Sequence, residues 1–160
     1  MGKLKLNLAD TFLLIITLVV MGCYFLFNQP IGQVHVARVG LDNHIPFRPV
    51  FIVPYLLFLP VFWLIIIYTY LKNQAFRPLA ITILAVYLIS YLVFVLHQTF
   101  DPRPVVIGHD VFSNLTRWTY SVDRPYGAWP SLHAASATIM ALYFICLRSR
   151  WWRHFRPLLS

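Results

Sequence analysis

Four uncharged apolar runs, at residues 11–27, 50–71, 78–96 and 131–147, limit what this chain can become more than any other feature. A helix rising 1.5 Å per residue needs about 20 residues to cross the hydrocarbon layer, and each run is close to that length. The runs are apolar all round, whereas a helix on the surface of a soluble domain keeps one polar face. The composition agrees, being 59% hydrophobic and 11% charged over 160 residues, more apolar than a soluble core of this size requires. The expected fold is all-α, one polytopic membrane domain of four transmembrane helices. Pro54 and Pro60 fall in the second run and are expected to kink it.

The formal charge of +8 would raise nucleic acid as a partner of a soluble protein. Here the basic residues sit at the ends of apolar runs, so the expected partner is the bilayer and no nucleic acid. With the N-terminus in the cytoplasm, Lys3, Lys5, Lys72, Arg77, Arg148, Arg150, Arg153 and Arg156 lie inside. Arg38, Arg48, Arg103, Arg117 and Arg124 then lie outside, and the inner excess favours this orientation. It puts residues 28–49 and 97–130 in extracytoplasmic loops of a plasma or inner membrane protein. Cys23 and Cys146 fall in apolar runs and read as small hydrophobes. The stretch Val20-Met21-Gly22-Cys23 has a faint lipoprotein-signal character but reads as mid-helix. Ala134, Ala137, Thr138 and Ala141 give the fourth run a small-residue surface suited to close helix packing.

The chemistry-bearing element is Pro130-Ser131-Leu132-His133-Ala134-Ala135, where the second outer loop becomes the fourth helix. Pro suits the first helical turn and Ser can cap it. Free amides and the helix dipole favour an anion at such a start. His133, two residues on, can donate a proton to a leaving oxygen. Upstream, Asp101-Pro102-Arg103-Pro104 places a guanidinium in the same loop, and its forked donors match phosphate. Taken alone, Arg103 also reads as a headgroup-level residue or an ion pair with Asp101. His97 reads either as a polar helix end or as a second cation for that site. His35, His44 and His109 read as solvated loop residues, and Tyr126 and Trp129 as part of an aromatic belt or as lining of a lipid entrance.

These residues resemble the type-2 phosphatidic acid phosphatase superfamily of membrane lipid phosphatases and phosphotransferases, whose motifs read K-x6-R-P, P-S-G-H and S-R-x5-H-x3-D. Pro130 to His133 match the second motif, with Leu132 in place of Gly. That variant, Asp123-Arg124-Pro125-Tyr126, and the run from Leu41 to Pro49 are similar to the branch holding inositol phosphotransferases and sphingolipid headgroup transferases. Arg103-Pro104 match half of the first motif, with Leu96 at its Lys position. The third motif, which carries the family's nucleophilic His, has no match. After Asp123 there is no acidic residue, and His154 lies in the basic aromatic stretch 148–156, expected on the opposite face.

The resemblance implies a six-helix fold of which these are the first four, and a lipid phosphate ester processed through a phosphohistidine with no metal and no cofactor. Arg103 and Ser131 would bind phosphoryl oxygens and His133 would protonate the leaving alcohol, with His97, Asp123 and Tyr126 in secondary places. Lacking the nucleophile, the chain reads as a C-terminally shortened enzyme, inactive alone. Other readings are a noncatalytic four-helix protein that binds phosphorylated lipid or a partner membrane protein, a metal site built from the outer histidines, and a channel or transporter subunit. The metal reading lacks a close ligand pair, and the channel reading lacks an ionisable residue at any helix centre.

Overall fold

A computed structural model describes residues 7–72 and 75–148. Lys3, Lys5 and the basic stretch with Arg150, Arg153, His154 and Arg156, expected at the inner surface, lie outside the described residues. The chain is mostly helical. Helix α1 spans Leu8–Gly22, capped by the Asn7 side chain accepting from the Ala9 amide at 3.0 Å. A single turn at Cys23 leads into α2, Tyr24–Phe27. A 3-10 turn, Pro49–Phe51, opens α3, Ile52–Lys72. Pro54 thus falls in the first turn of α3, where a missing N–H costs nothing, while the helix runs on through Pro60. Helix α4 spans Phe76–Leu96. Helix α6, Leu132–Arg148, follows a further helix within the second loop.

Three stretches are long and apolar enough to cross a membrane: Leu8–Phe27, Pro49–Lys72 and Phe76–Leu96. The fourth expected span is apolar but shorter, 17 residues in α6. At 1.5 Å per residue that is about 25 Å, under the roughly 30 Å of a hydrocarbon core.

Helix α4 is the centre of the bundle. Phe76, Leu79, Ala80, Ile83, Tyr87, Ser90, Tyr91 and Phe94 are buried along it at spacings of three and four, which is one helical face. That face meets Met21 of α1, Phe62 and Ile66 of α3, and Leu132, Ile139 and Tyr143 of α6 in one core. The outward surfaces are apolar as well: Phe12 and Val19 on α1, Leu57 and Leu64 on α3, Leu88, Ile89 and Leu92 on α4, and Leu142 and Ile145 on α6 are all more than half exposed. Water does not tolerate apolar surface spread over every helix, whereas lipid is its natural solvent. On α6 the packing face is Leu132, Ser136, Ile139 and Tyr143, while Ala134, Ala137, Thr138 and Ala141 point outward. The small-residue surface expected to pack is therefore not the one used inside this chain, because the bulkier stripe fills the space beside α4.

Polar side chains pin both ends. At one end Asp10 and Arg77 pair at 2.6 Å, and the Thr11 and Tyr70 hydroxyls meet at 2.6 Å. At the other, the two segments expected as loops hold regular structure. Strand β1, Val34–Val36, pairs in parallel with β2, Gln98–Phe100. Residues Val111–Val122 form helix α5, whose Asp110 carboxylate caps the Phe112 and Ser113 amides at 2.9 and 3.1 Å. Bonds from Ser113, hydroxyl first and amide second, hold the Asp110 carboxyl below the usual carboxylate range.

The chain reaches α6 through a tight turn at Gly127, with φ +67°. A Cβ there would stand 3.1 Å from the ring of Phe94, which is fully buried at the end of α4. Gly127→Ala combines a left-handed alanine with an overpacked ring that has nowhere to move. It is expected to cost about 1–3 kcal/mol, read as a lowered midpoint of thermal unfolding in detergent micelles.

Candidate functional site

Ser131 begins α6 in the way its position predicts. Its Oγ accepts from the Ala134 amide at 3.3 Å, and its carbonyl accepts from the Ala135 amide at 2.9 Å. The hydroxyl stays exposed, with its proton free to give. Leu132 turns into the core, so His133, one residue on, faces α3. Its ring stacks on Tyr55 with centroids 4.6 Å apart and lies 5.4 Å from the ring of Phe58. The Nε2 atom of His133 is shut off from solvent and has no hydrogen-bond partner. A buried polar nitrogen left in that state costs free energy unless something meets it.

Asp123, the residue that ends α5, gathers most of the remaining polar groups. Its Oδ1 accepts from the Tyr24 hydroxyl at 2.9 Å and from Asn28 Nδ2 at 2.7 Å. Its Oδ2 accepts from the Tyr55 hydroxyl at 2.7 Å and from Arg103 at 3.3 Å. Arg103 also donates to the backbone carbonyls of Asp123 and Tyr120, and its guanidinium lies 4.5 Å from the centre of the Tyr120 ring. The carboxylate partner of Arg103 is thus Asp123 and not its sequence neighbour Asp101. Three of its five donors are spent on protein groups. Asp101 is raised above the usual carboxylate range, by burial first and by nearby Asp42 second, with Arg103 and Arg38 opposing. The Tyr120 hydroxyl is likewise raised by its burial.

Two cavities meet at this cluster. One, of about 230 Å³, is almost wholly apolar; Phe25, Leu59, Trp63 and Trp118 line it, and His133 lies in its wall. The other, of about 530 Å³, is more polar and more open, with Arg38, Arg48, Arg103, Asp42 and Asp101 among apolar residues in its lining. Tyr55, Thr119 and Asp123 belong to the walls of both. His133 and Arg103 therefore face different chambers across a shared Tyr55–Asp123 partition, and Ser131 lines neither chamber.

Other residues singled out by sequence lie apart. His97 is exposed and stacks on His35, centroids 4.2 Å apart, beside the β1–β2 pair. Tyr126 packs on Phe100, and its amide donates to Asn28 Oδ1 at 3.3 Å, joining it to the Asp123 cluster only through Asn28. Trp129 is exposed, and its backbone is tied to Thr99. Among the described residues, no three His, Cys, Asp or Glu side chains come together as a metal site would need. Sequence reasoning passed over Tyr24, Asn28 and Tyr55. The only available signal was the spacing of four between Tyr24 and Asn28, which puts two polar tips on one side of a helix end.

No protein-family model, curated protein or solved structure matches the chain.

Proposed function

We propose that this chain is a four-span integral membrane protein that binds a lipid phosphate ester at the Asp123–His133 end of its bundle. It is similar in its P-S-x-H element to the type-2 phosphatidic acid phosphatase superfamily. The observation that carries the reading is the unpartnered, occluded Nε2 of His133 in the wall of an apolar cavity that adjoins an arginine-lined polar one. An amphiphile has the matching form. Its chains take the apolar chamber, its charged head takes the polar side, and the bond between them lies near the Tyr55–Asp123 partition.

In this reading His133 donates the proton that a leaving alkoxide needs, at Nε2, from a site that excludes bulk water. Arg103 holds phosphoryl oxygens with the donors that Asp123 leaves free, whereas Ser131, expected to share that task, caps the start of α6 outside both chambers. The nucleophile motif of the family does not occur in these 160 residues. The chain therefore supplies the binding and proton-donating half of a phosphoryl transfer, and is inactive alone. The commitment of Arg103 to Asp123 favours, as a second reading, a noncatalytic binder of the same lipid class.

Both readings require recognition of phosphate. The purified chain in micelles should bind short-chain phosphatidic acid at least about tenfold more tightly than the matching diacylglycerol, a difference of about 1.4 kcal/mol. His133→Ala should remove most of that preference. Equal affinity for the two lipids sinks the proposal.

A further inference from the structure

Helix α5 is built the wrong way round for a helix in water. The residues it buries are hydroxyl-bearing, with Ser113, Thr116 and Thr119 at 1%, 3% and 4% exposure. The large side chains it shows are apolar, with Val111, Trp118, Val122 and Phe112 at 76%, 56%, 54% and 40%. Around the axis the side chains fall into three sectors. Ser113, Thr116, Thr119 and Tyr120 face the bundle. Val111, Leu115, Trp118 and Val122, spaced four, three and four apart, form a stripe on another side. Between these two lies a polar strip of Asn114, Arg117 and Ser121, with Asn114 and Ser121 exposed and Arg117 donating to Asn114. A surface helix of a soluble protein needs two sectors, core and water; a third, apolar and uncovered, calls for a third medium.

Position identifies that medium. Trp118 and Val122 line the same apolar cavity as Phe25 at the end of the first apolar stretch and Leu59 and Trp63 of α3. The Trp118–Val122 end of the stripe thus adjoins two stretches that are long and apolar enough to cross a membrane. Arg124, exposed just past the end of α5, stands where lipid phosphates would meet it.

We propose that α5 lies in the plane of the membrane surface, its Val111–Leu115–Trp118–Val122 stripe sunk into the boundary between headgroups and acyl chains, and its Asn114–Ser121 strip facing water. The occupant of the stripe is bilayer lipid, and the segment expected to be an aqueous loop is a lipid-contacting element. The helix thereby forms one side of the lateral opening to the His133 cavity, an inference that rests on reading α1, α3 and α4 as spans.

Nitroxide scanning of the chain in nanodiscs tests this, with Cys23 and Cys146 replaced by alanine and single labels at Val111→Cys, Val122→Cys, Ser121→Cys and Ile89→Cys. Collision with oxygen relative to a water-soluble nickel chelate should be about fivefold or more higher at Val111 and Val122 than at Ser121, and highest at Ile89 on α4. Water-like values at Val111 and Val122 with a lipid-like Ile89 overturn the inference and leave the spans standing. A water-like Ile89 overturns the membrane reading itself. The unsubstituted chain gives a second measure through phosphatidylcholine carrying a photoreactive diazirine near the glycerol end of its acyl chain. Adducts should map to Val111, Trp118 or Val122; adducts confined to the long apolar helices count against the inference.

Discussion

Asp123→Ala is expected to lower the stability of the protein in micelles by about 3 kcal/mol or more, the range for removing one partner of a largely buried ion pair. The carboxylate serves four groups drawn from α2, its following loop, α3 and the segment after β2: Tyr24, Asn28, Tyr55 and Arg103. Without it the Arg103 guanidinium, one-fifth exposed, keeps its charge and loses its counter-charge. Two tyrosine hydroxyls lose their acceptor at the same time. Asp123→Asn preserves shape and one acceptor oxygen, so it should lose less. A double-mutant cycle with Arg103→Gln should show coupling of about 1 kcal/mol or more, since the two side chains touch. Denaturant unfolding followed by circular dichroism measures each term. A loss below about 1 kcal/mol for Asp123→Ala would mean that solvent substitutes for the carboxylate.

Gln98→Leu is expected to cost about 1–3 kcal/mol, from a half-buried Ile31 amide and two half-buried carbonyls that lose their partners. The Gln98 amide does the work of a missing strand. Its Oε1 accepts from the Ile31 amide at 2.6 Å, and its Nε2 donates to the Phe27 and Gln29 carbonyls at 3.1 and 2.6 Å. Leucine matches the volume and none of the bonds. Hydrogen exchange at Ile31 should accelerate along with the fall in the unfolding midpoint. Gln98→Glu adds a sign test. Its carboxyl would face two carbonyl oxygens, so the folded state would hold its proton to higher pH than the unfolded state does. Stability would then be retained at low pH and lost as pH rises through the folded value. A variant equally stable at acid and alkaline pH would contradict the assigned amide orientation.

The apolar runs were legible as helices because a long hydrophobic stretch has few other uses, and their edges moved by at most three residues, although only three of the four are long and apolar enough to cross a membrane. The Ser131 cap of α6 was legible too, whereas Pro130, expected in the first turn, lies ahead of the cap because the helix begins only at Leu132. Helix α5 was not, although Asp110 is a good cap, because the search for an amphipathic helix expects its apolar stripe to be the buried one. The partner of Arg103 was hidden for a different reason. Asp101 is two residues away in sequence, but α5 folds Asp123 back onto the guanidinium, and no local spacing reports a contact made by a helix that was not foreseen. Tyr24 and Tyr55 were hidden by their surroundings, counted as apolar residues of membrane runs when their hydroxyls were the part that mattered.

The two short strands carry a consequence for how the chain comes together. Parallel strands need a crossover between them, and here the crossover is the hairpin of α3 and α4, which separates Val36 from Gln98 along the chain. The pair cannot zip until both long helices lie side by side with their ends level. Its three residue pairs therefore close only over an assembled hairpin, and strand β2 ties the end of the first apolar stretch, through Gln98, to the turn that launches α6, through Thr99.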